Sequence, residues 1–199
     1  MATIRILFFG DSITNGTNDP ACQGWVGRAC AAAWGRGHDV TCYNLGVRRE
    51  TSADIRARWE AEAALRLRPG IAGGLVFSFG VNDCTIENGA RRVAPADTLA
   101  NAEAMLAKAK TMAPTLMIGP TPVDRGGDSA PVGDLVAPLR DLCRRLEVPF
   151  LDVLNWLDAP WSPWMREIGA GDGAHPGRDG YEAMAALVDA WAAWRAWLP

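Results

Sequence analysis

Short apolar segments alternate with longer, helix-like segments along this chain, and this alternation constrains its fold more than any other feature. Five segments have the length and the β-branched or aromatic residues typical of buried strands: 4–9, 38–43, 75–79, 116–119 and 148–153. The stretches between and after them are long enough for helices: 24–34, 51–68, 95–112, 132–146 and 178–198. Because neighbouring parallel strands are joined by right-handed helical crossovers, this order predicts a parallel sheet with helices on both faces. We therefore expect an α/β fold with a three-layer α/β/α arrangement and five parallel strands.

Length and composition are those of an ordinary globular domain. The chain has 199 residues, of which 49% are hydrophobic and 22% charged, and we expect one domain over 1–199. The formal net charge of −3 gives no reason to expect a nucleic acid or an anionic membrane as partner. No apolar run approaches the roughly 20 residues of a membrane span, so an integral membrane segment is not expected.

Histidine and cysteine content bears on compartment and cofactors. The first residues enter the first strand without the basic and long apolar segments of a signal peptide. The five cysteines are odd in number and form no C-x-x-C pair, which argues against a disulfide framework and favours a cytoplasmic protein. Two histidines make a His-rich metal site improbable, and no glycine-rich nucleotide motif is present. We therefore expect neither a metal nor an organic cofactor.

Small and polar residues follow the ends of three predicted strands, and a fourth polar segment precedes the last helix. The four segments are Gly10-Asp11-Ser12, Asn44-Leu45-Gly46, Gly80-Val81-Asn82-Asp83 and Asp172-Gly173-Ala174-His175. In open α/β sheets, ligands bind beyond the carboxyl ends of the strands, so these segments are expected to form one site. Each segment alone also has a structural interpretation, as a turn or as a helix cap.

Together the four segments contain every group that acyl transfer needs. Ser12 could act as nucleophile if a base lies within hydrogen-bond reach, and His175 is suited to that role. Asp172 precedes His175 by three residues, so a tight turn would let its carboxylate orient the imidazole. The backbone N–H groups of Ser12 and Gly46 and the side-chain amide of Asn82 could donate to a developing oxyanion.

These segments resemble the four motif blocks of the SGNH hydrolases, also called GDSL-type esterases and lipases. Gly10-Asp11-Ser12-Ile13-Thr14 is similar to the first block, with Ile13 where the name of the family has leucine. Gly46, Asn82 and the pair Asp172 and His175 match the other three blocks, so the resemblance spans nearly the whole chain.

The resemblance implies a flavodoxin-like, five-stranded SGNH hydrolase fold and a serine hydrolase without cofactor. It implies a catalytic triad of Ser12 as nucleophile, His175 as base and Asp172 as its orienter, with an oxyanion hole formed by Ser12, Gly46 and Asn82. The expected activity is cleavage of a small-molecule carboxylic ester, as in an esterase or lipase. Two alternatives stay open: an acyltransferase or thioesterase with the same site, and a non-catalytic flavodoxin-like module that binds an anion.

Two further sets of residues have more than one interpretation. Arg48, Arg49 and Glu50 follow a strand end, where they could favour a polar or anionic substrate or simply form a solvated cluster. Tryptophans occur before His175 and in the last predicted helix: Trp156, Trp161, Trp164, Trp191, Trp194 and Trp197. The first three could wall an acyl pocket or hold a loop in place. The last three would share one helix face, either for packing or for a homo-oligomer or membrane surface.

Overall fold

The structure is a computed structural model that describes residues 3–198. Its strands within that range are β1 (Thr3–Gly10), β2 (Asp39–Gly46), β3 (Ala72–Ser78), β4 (Ile86–Glu87), β5 (Ala90–Arg91), β6 (Thr115–Ile118) and β7 (Phe150–Leu151). Its helices there are α1 (Ser12–Asn15), α2 (Gly24–Gly35), α3 (Ser52–Arg66), α4 (Pro95–Ala109), α5 (Gly133–Arg145), α6 (Leu154–Leu157), α7 (Pro163–Ala170), α8 (Arg178–Ala190) and α9 (Ala192–Arg195).

Five parallel strands form one sheet in the order β2-β1-β3-β6-β7, which confirms the predicted architecture. β1 lies between β2 and β3, and the chain winds outward in opposite directions from these two neighbours. The carboxyl end of β1 is therefore at the point where the strand order reverses. In doubly wound sheets, a crevice for ligands opens at that point.

Alternate side chains of β1 enter two separate hydrophobic cores, one on each face of the sheet. Ile6 and Phe8 pack with residues of α2 and α8, including Trp25. Leu7 and Phe9 pack with residues of α3, α4 and α5, including Trp59. Both faces of β1 are therefore covered, which explains why its sequence is a continuous apolar run and not an alternation of apolar and polar residues.

Three segments differ in detail from the sequence expectations. The polar loop after Asn82 contains a short antiparallel hairpin of β4 and β5, and the stretch 154–171 contains α6 and α7. The last helix is not continuous to Leu198, because it ends at Ala190 and Trp191 adopts an extended backbone with ψ of 123°. Within residues 3–198, no helix is both long enough and apolar enough to cross a membrane.

Candidate active site

Ser12 is the first residue of the short helix α1, directly beyond β1. The carboxylate of Asp11 caps this helix, because its Oδ1 accepts a hydrogen bond from the Ile13 N–H at 2.9 Å. Burial raises the pKa of Asp11 to about 7; the Ile13 hydrogen bond opposes this shift and the nearby charge of Asp83 reinforces it. The cap and the strand end together place the Ser12 hydroxyl at the edge of the sheet.

Gly46 ends β2 beside this helix and has a structural role there. A Cβ atom at Gly46 would lie 2.3 Å from the Asn15 backbone nitrogen, so only glycine lets β2 approach α1 this closely. The Gly46 N–H donates to Asn44 Oδ1 at 3.0 Å, and Asn44 Nδ2 donates to the Thr14 carbonyl at 2.8 Å. The Gly46 N–H thus already has an acceptor in this structure, and its assignment as an oxyanion donor stays a prediction.

His175 lies against Ser12 and Asp172. Its Nε2 is 2.7 Å from Ser12 Oγ, and its Nδ1 is 2.5 Å from Asp172 Oδ2. An ionised carboxylate can only accept hydrogen bonds, so Nδ1 carries the proton and Nε2 presents its lone pair to the Ser12 hydroxyl. The three side chains thus form one hydrogen-bonded row, although their sequence positions are up to 163 residues apart.

The Asp172 carboxylate is stabilised in its charged form by a tight turn. Burial would raise the pKa of Asp172, but hydrogen bonds from the His175 ring and from the backbone N–H groups of His175 and Ala174 outweigh it. The net effect lowers the pKa of Asp172 to about 2. Asp172 is therefore ionised across the neutral range, and the imidazole has a permanent acceptor.

Hydrogen bonds from three parts of the chain hold the loop that carries His175. Glu167 Oε2 accepts the N–H groups of Gly177 at 2.9 Å and Gly180 at 2.7 Å, at the start of α8. Asn18 Nδ2 donates to the His175 carbonyl at 3.2 Å, and the Asp124 N–H donates to the carbonyl of the neighbouring Gly173 at 2.7 Å. His175 itself is only 6% exposed, so its ring has little freedom to leave the row.

Asn82 is brought to the same pocket by the turn after β3. Its Nδ2 donates to the Glu50 carbonyl at 2.9 Å, which leaves the second N–H of the amide for another acceptor. The neighbouring Asp83 accepts hydrogen bonds from the Ser52 N–H at 2.9 Å and Thr98 Oγ1 at 2.8 Å. Asp83 thus ties the turn to the start of α3 and to α4, so the two adjacent polar residues have different roles.

A pocket of about 210 Å³ lies where these residues meet. Ser12, Asn82, Asp172 and His175 form part of its wall, and the rest consists of Arg48, Arg49, Thr85, Glu87, Arg92 and Arg125. The pocket shares five of these residues with an open groove of about 690 Å³. No group of three or more His, Cys, Asp or Glu side chains between residues 3 and 198 is arranged to hold a metal ion.

Sequence reasoning did not find four of the residues that line this pocket: Thr85, Glu87, Arg92 and Arg125. Glu87 ends β4 and the other three lie in loops, none of them within a recognisable motif, and only the fold brings them beside Ser12. For Arg48, Arg49 and Glu50 the sequence left two interpretations open. Arg48 and Arg49 lie in the pocket wall, whereas the Glu50 carboxylate pairs with Arg58 at 2.6 Å.

The tryptophans do not line the pocket. Trp164 is buried against Tyr181, with ring centroids 5.8 Å apart and an interplanar angle of 81°. Trp156 and Trp161 are 67% and 82% exposed. Of the two interpretations for this segment, holding a loop in place describes Trp164, and none of the three walls an acyl pocket.

Comparisons with known proteins show the family and the fold of the chain. The model of the GDSL-like Lipase/Acylhydrolase family matches residues 8–183. A lipase/acylhydrolase from Enterococcus faecalis has a similar fold, with a TM-score of 0.80 and 24% identity, over 98% of this chain and 97% of that one.

Two other solved structures share the fold at lower identity. A member of the lipolytic G-D-S-L family from Veillonella parvula is 20% identical with a TM-score of 0.72, over 93% of this chain and 96% of that one. A catalytic mutant of an acetylxylan esterase from Geobacillus stearothermophilus is 14% identical with a TM-score of 0.72, over 92% and 91% of the two chains. No curated protein sequence matches the chain significantly.

Proposed function

Because the chain belongs to the GDSL-like lipase/acylhydrolase family, we propose that it is a serine esterase that cleaves a carboxylic ester through an acyl-enzyme on Ser12. The observation that carries the proposal is the hydrogen-bonded row in which Ser12 Oγ lies 2.7 Å from His175 Nε2. A serine hydroxyl becomes a useful nucleophile when a base at this distance can take its proton. The acetylxylan esterase and lipase/acylhydrolase among the structural neighbours are in keeping with ester chemistry.

In the proposed reaction, Ser12 Oγ attacks the ester carbonyl while His175 Nε2 takes its proton. Asp172 stabilises the imidazolium that forms, because its carboxylate remains ionised. His175 then gives the proton to the leaving alcohol as the tetrahedral intermediate collapses to the acyl-enzyme. Water, deprotonated by His175, attacks the acyl group, and return of the proton to Ser12 releases the acid.

For the oxyanion, we propose the Ser12 backbone N–H and the free N–H of the Asn82 amide as donors. The Gly46 N–H would first have to leave Asn44 Oδ1. The Arg49 backbone N–H is the better third candidate. Arg49 lines the pocket and has φ of 69°, and its backbone N–H donates no hydrogen bond within residues 3–198.

A fluorophosphonate tests the proposal, because it phosphonylates only an activated serine. We expect one adduct, mapped to the peptide that contains Ser12, and none in Ser12→Ala. An adduct on another serine would refute the assignment of the nucleophile. No adduct on a folded protein would instead favour a binding module. Adding alcohol or thiol acceptors to the ester assay distinguishes a hydrolase from an acyltransferase.

A further inference from the structure

The wall of the Ser12 pocket contains no hydrocarbon side chain. All ten residues that line it are polar or charged. A fatty acyl chain gains free energy from burial only where it exchanges water for apolar contacts, and the polar and charged residues of this wall offer few such contacts. The volume of about 210 Å³ is also small compared with the 300–1,000 Å³ of common ligand pockets. Both observations favour a short acyl group over a fatty acyl chain.

Positive charge exceeds negative charge in this wall. Four arginines line the pocket, against the carboxylates of Glu87 and Asp172. Glu87 Oε1 is 2.9 Å from Arg49 Nη2 and 3.6 Å from Arg92 Nε, and Asp172 is occupied by His175. The remaining two arginines, Arg48 and Arg125, have no partner for their side chains among residues 3–198.

Arg48 and Arg125 differ in their exposure. Arg48 is exposed, so water can solvate its guanidinium, whereas Arg125 is half-buried. A charged group that is partly removed from water needs compensation by an opposite charge or by hydrogen bonds. Thr85, also in the wall, has a buried hydroxyl oxygen without a hydrogen-bond partner in the described range. The pocket thus contains an arginine and a hydroxyl whose hydrogen-bonding capacity a ligand could use.

Arg125 is held close to the loop that carries Asp172 and His175. The Asp124 N–H donates to the Gly173 carbonyl, and a Cβ at Gly173 would lie 2.1 Å from the Asp124 carbonyl oxygen and 3.3 Å from Arg125 Cγ. Gly173 has φ of 77°, so a side chain there is excluded by both strain and space. The backbone at Asp124 and Arg125 is therefore packed against the loop that carries Asp172 and His175, which fixes the position from which the Arg125 side chain extends.

We propose that the substrate is a short-chain ester that carries an anionic group, a carboxylate or a phosphate, and that Arg125 binds this group. The inference rests on the proposed function and adds the substrate class to it. A guanidinium binds such groups through two parallel hydrogen bonds. The larger groove is lined by Asp124 and Asp128, whose carboxylates form no salt bridge with Arg125. Because these unneutralised carboxylates would repel an anion, we place the anionic group in the small pocket.

Pairs of esters that differ mainly in charge test this proposal. One pair places the charge on the alcohol side: para-acetoxybenzoate and its methyl ester. Another places it on the acyl side: the para-nitrophenyl hemisuccinate and its methyl ester. A fifth substrate, para-acetoxyphenyl phosphate, separates phosphate from carboxylate recognition. Each kcat/KM is divided by the rate of alkaline hydrolysis of the same ester, which removes differences in intrinsic reactivity.

We expect wild type to prefer the anionic member of at least one pair by about tenfold at low salt, with a smaller preference at high salt. Arg125→Gln should reduce that preference about tenfold. Arg144→Gln removes the same charge from an exposed position on α5 outside the pocket and should keep the wild-type preference.

The proposal would be overturned by equal corrected rates within both pairs together with a corrected rate on para-acetoxyphenyl phosphate no higher than on the neutral methyl esters. An Arg125→Gln variant that retains the wild-type preference would also overturn it. These results would leave the esterase itself intact if a fluorophosphonate still labels Ser12. Loss of that labelling in wild type would overturn the proposed function instead, so the two failures are distinguishable.

Discussion

Two sides of the same pocket differ in how many of their polar groups find partners within the chain. On the side of Ser12 and His175, the hydroxyl, both ring nitrogens and the Asp172 carboxylate are joined in one row. On the arginine side, the Arg125 guanidinium and the Thr85 hydroxyl have none within residues 3–198. The first side is ordered by folding, whereas the second can be completed by a ligand.

Under the proposed function, this difference separates the groups that would perform the reaction from those that would select the substrate. Groups that perform a reaction gain from being held in place beforehand, because no reorganisation is then needed at the moment of reaction. Groups that select a substrate must keep hydrogen-bonding capacity free for it. Substitutions on the first side should therefore change kcat, and substitutions on the second should change the ratio between substrates.

The largest effect is expected from Asp172→Asn, which breaks the ordered row at its end. An amide can donate to Nδ1 and so favour the wrong tautomer, which should lower kcat about 10⁴-fold on an activated ester. Steady-state kinetics measure the loss, and circular dichroism checks the fold. A wild-type rate in the folded variant would mean that Asp172 is only a turn residue.

Asn82→Ala should have the next largest effect. Loss of an oxyanion donor costs about 10²–10³-fold in kcat with little change in KM, because the contact strengthens mainly in the transition state. Asn155→Ala, an exposed asparagine that hydrogen bonds to Asp152, is the matched control and should retain the wild-type kcat. A rise in KM alone would show that Asn82 binds the ester in its ground state.

Glu167→Ala tests how much the hydrogen bonds from Gly177 and Gly180 to Glu167 stabilise the loop that carries His175. The variant leaves the N–H groups of Gly177 and Gly180 without their acceptor, a loss comparable to that of a helix cap, about 1 kcal/mol. For a chain of this size, that corresponds to a decrease in Tm of about 2–4 °C. Thermal unfolding measures it, with the exposed Glu103→Ala as control. If both variants unfold at the wild-type Tm, the Glu167 hydrogen bonds contribute nothing to stability.

Asp11→Asn should change the pH dependence of stability, which no other variant in this set is designed to test. Because burial raises the pKa of Asp11 to about 7, folding favours its protonated form. Its contribution to stability is full below pH about 4 and is lost as the pH rises through 7. Asparagine keeps an acceptor for the Ile13 N–H without ionising, so the variant should lose less stability over that interval.

Denaturant unfolding between pH 4 and 8 measures this difference. The other carboxylates titrate in both proteins, so the difference between the two curves isolates Asp11. Parallel curves would mean that this carboxyl ionises in the folded state as readily as in the unfolded chain.

The end of the chain shows where local pattern misleads. Residues 178–198 have a helical pattern, yet the backbone turns at Trp191. The turn lets Trp194 pack against Phe8, with ring centroids 6.1 Å apart, and lets Trp197 lie where a Cβ at Gly74 would be only 2.5 Å away. Burial of these two indoles on the sheet outweighs the modest preference for continuing a helix.

The sequence by itself determined the strand–helix alternation, and with it the parallel sheet, because crossover handedness leaves few other arrangements. It also placed Ser12, Asn82, Asp172 and His175 at one edge, and the structure brings these four into one pocket; their catalytic roles remain predictions. Asp172 and His175 could be paired from sequence because a three-residue turn is a local constraint.

Only the tertiary structure decided which residues surround the hydrogen-bonded row of Ser12, His175 and Asp172. Asn44 Nδ2 of β2 donates to the Thr14 carbonyl of α1, and Arg125 comes to the pocket from a loop that shares no motif with Ser12. Neither outcome follows from neighbouring residues, because each depends on how closely separate segments approach: β2 on α1, and the Asp124 backbone on Gly173. Local hydrogen bonds can be inferred from spacing along the chain, whereas contacts between loops exist only after the sheet has set the distances between their ends.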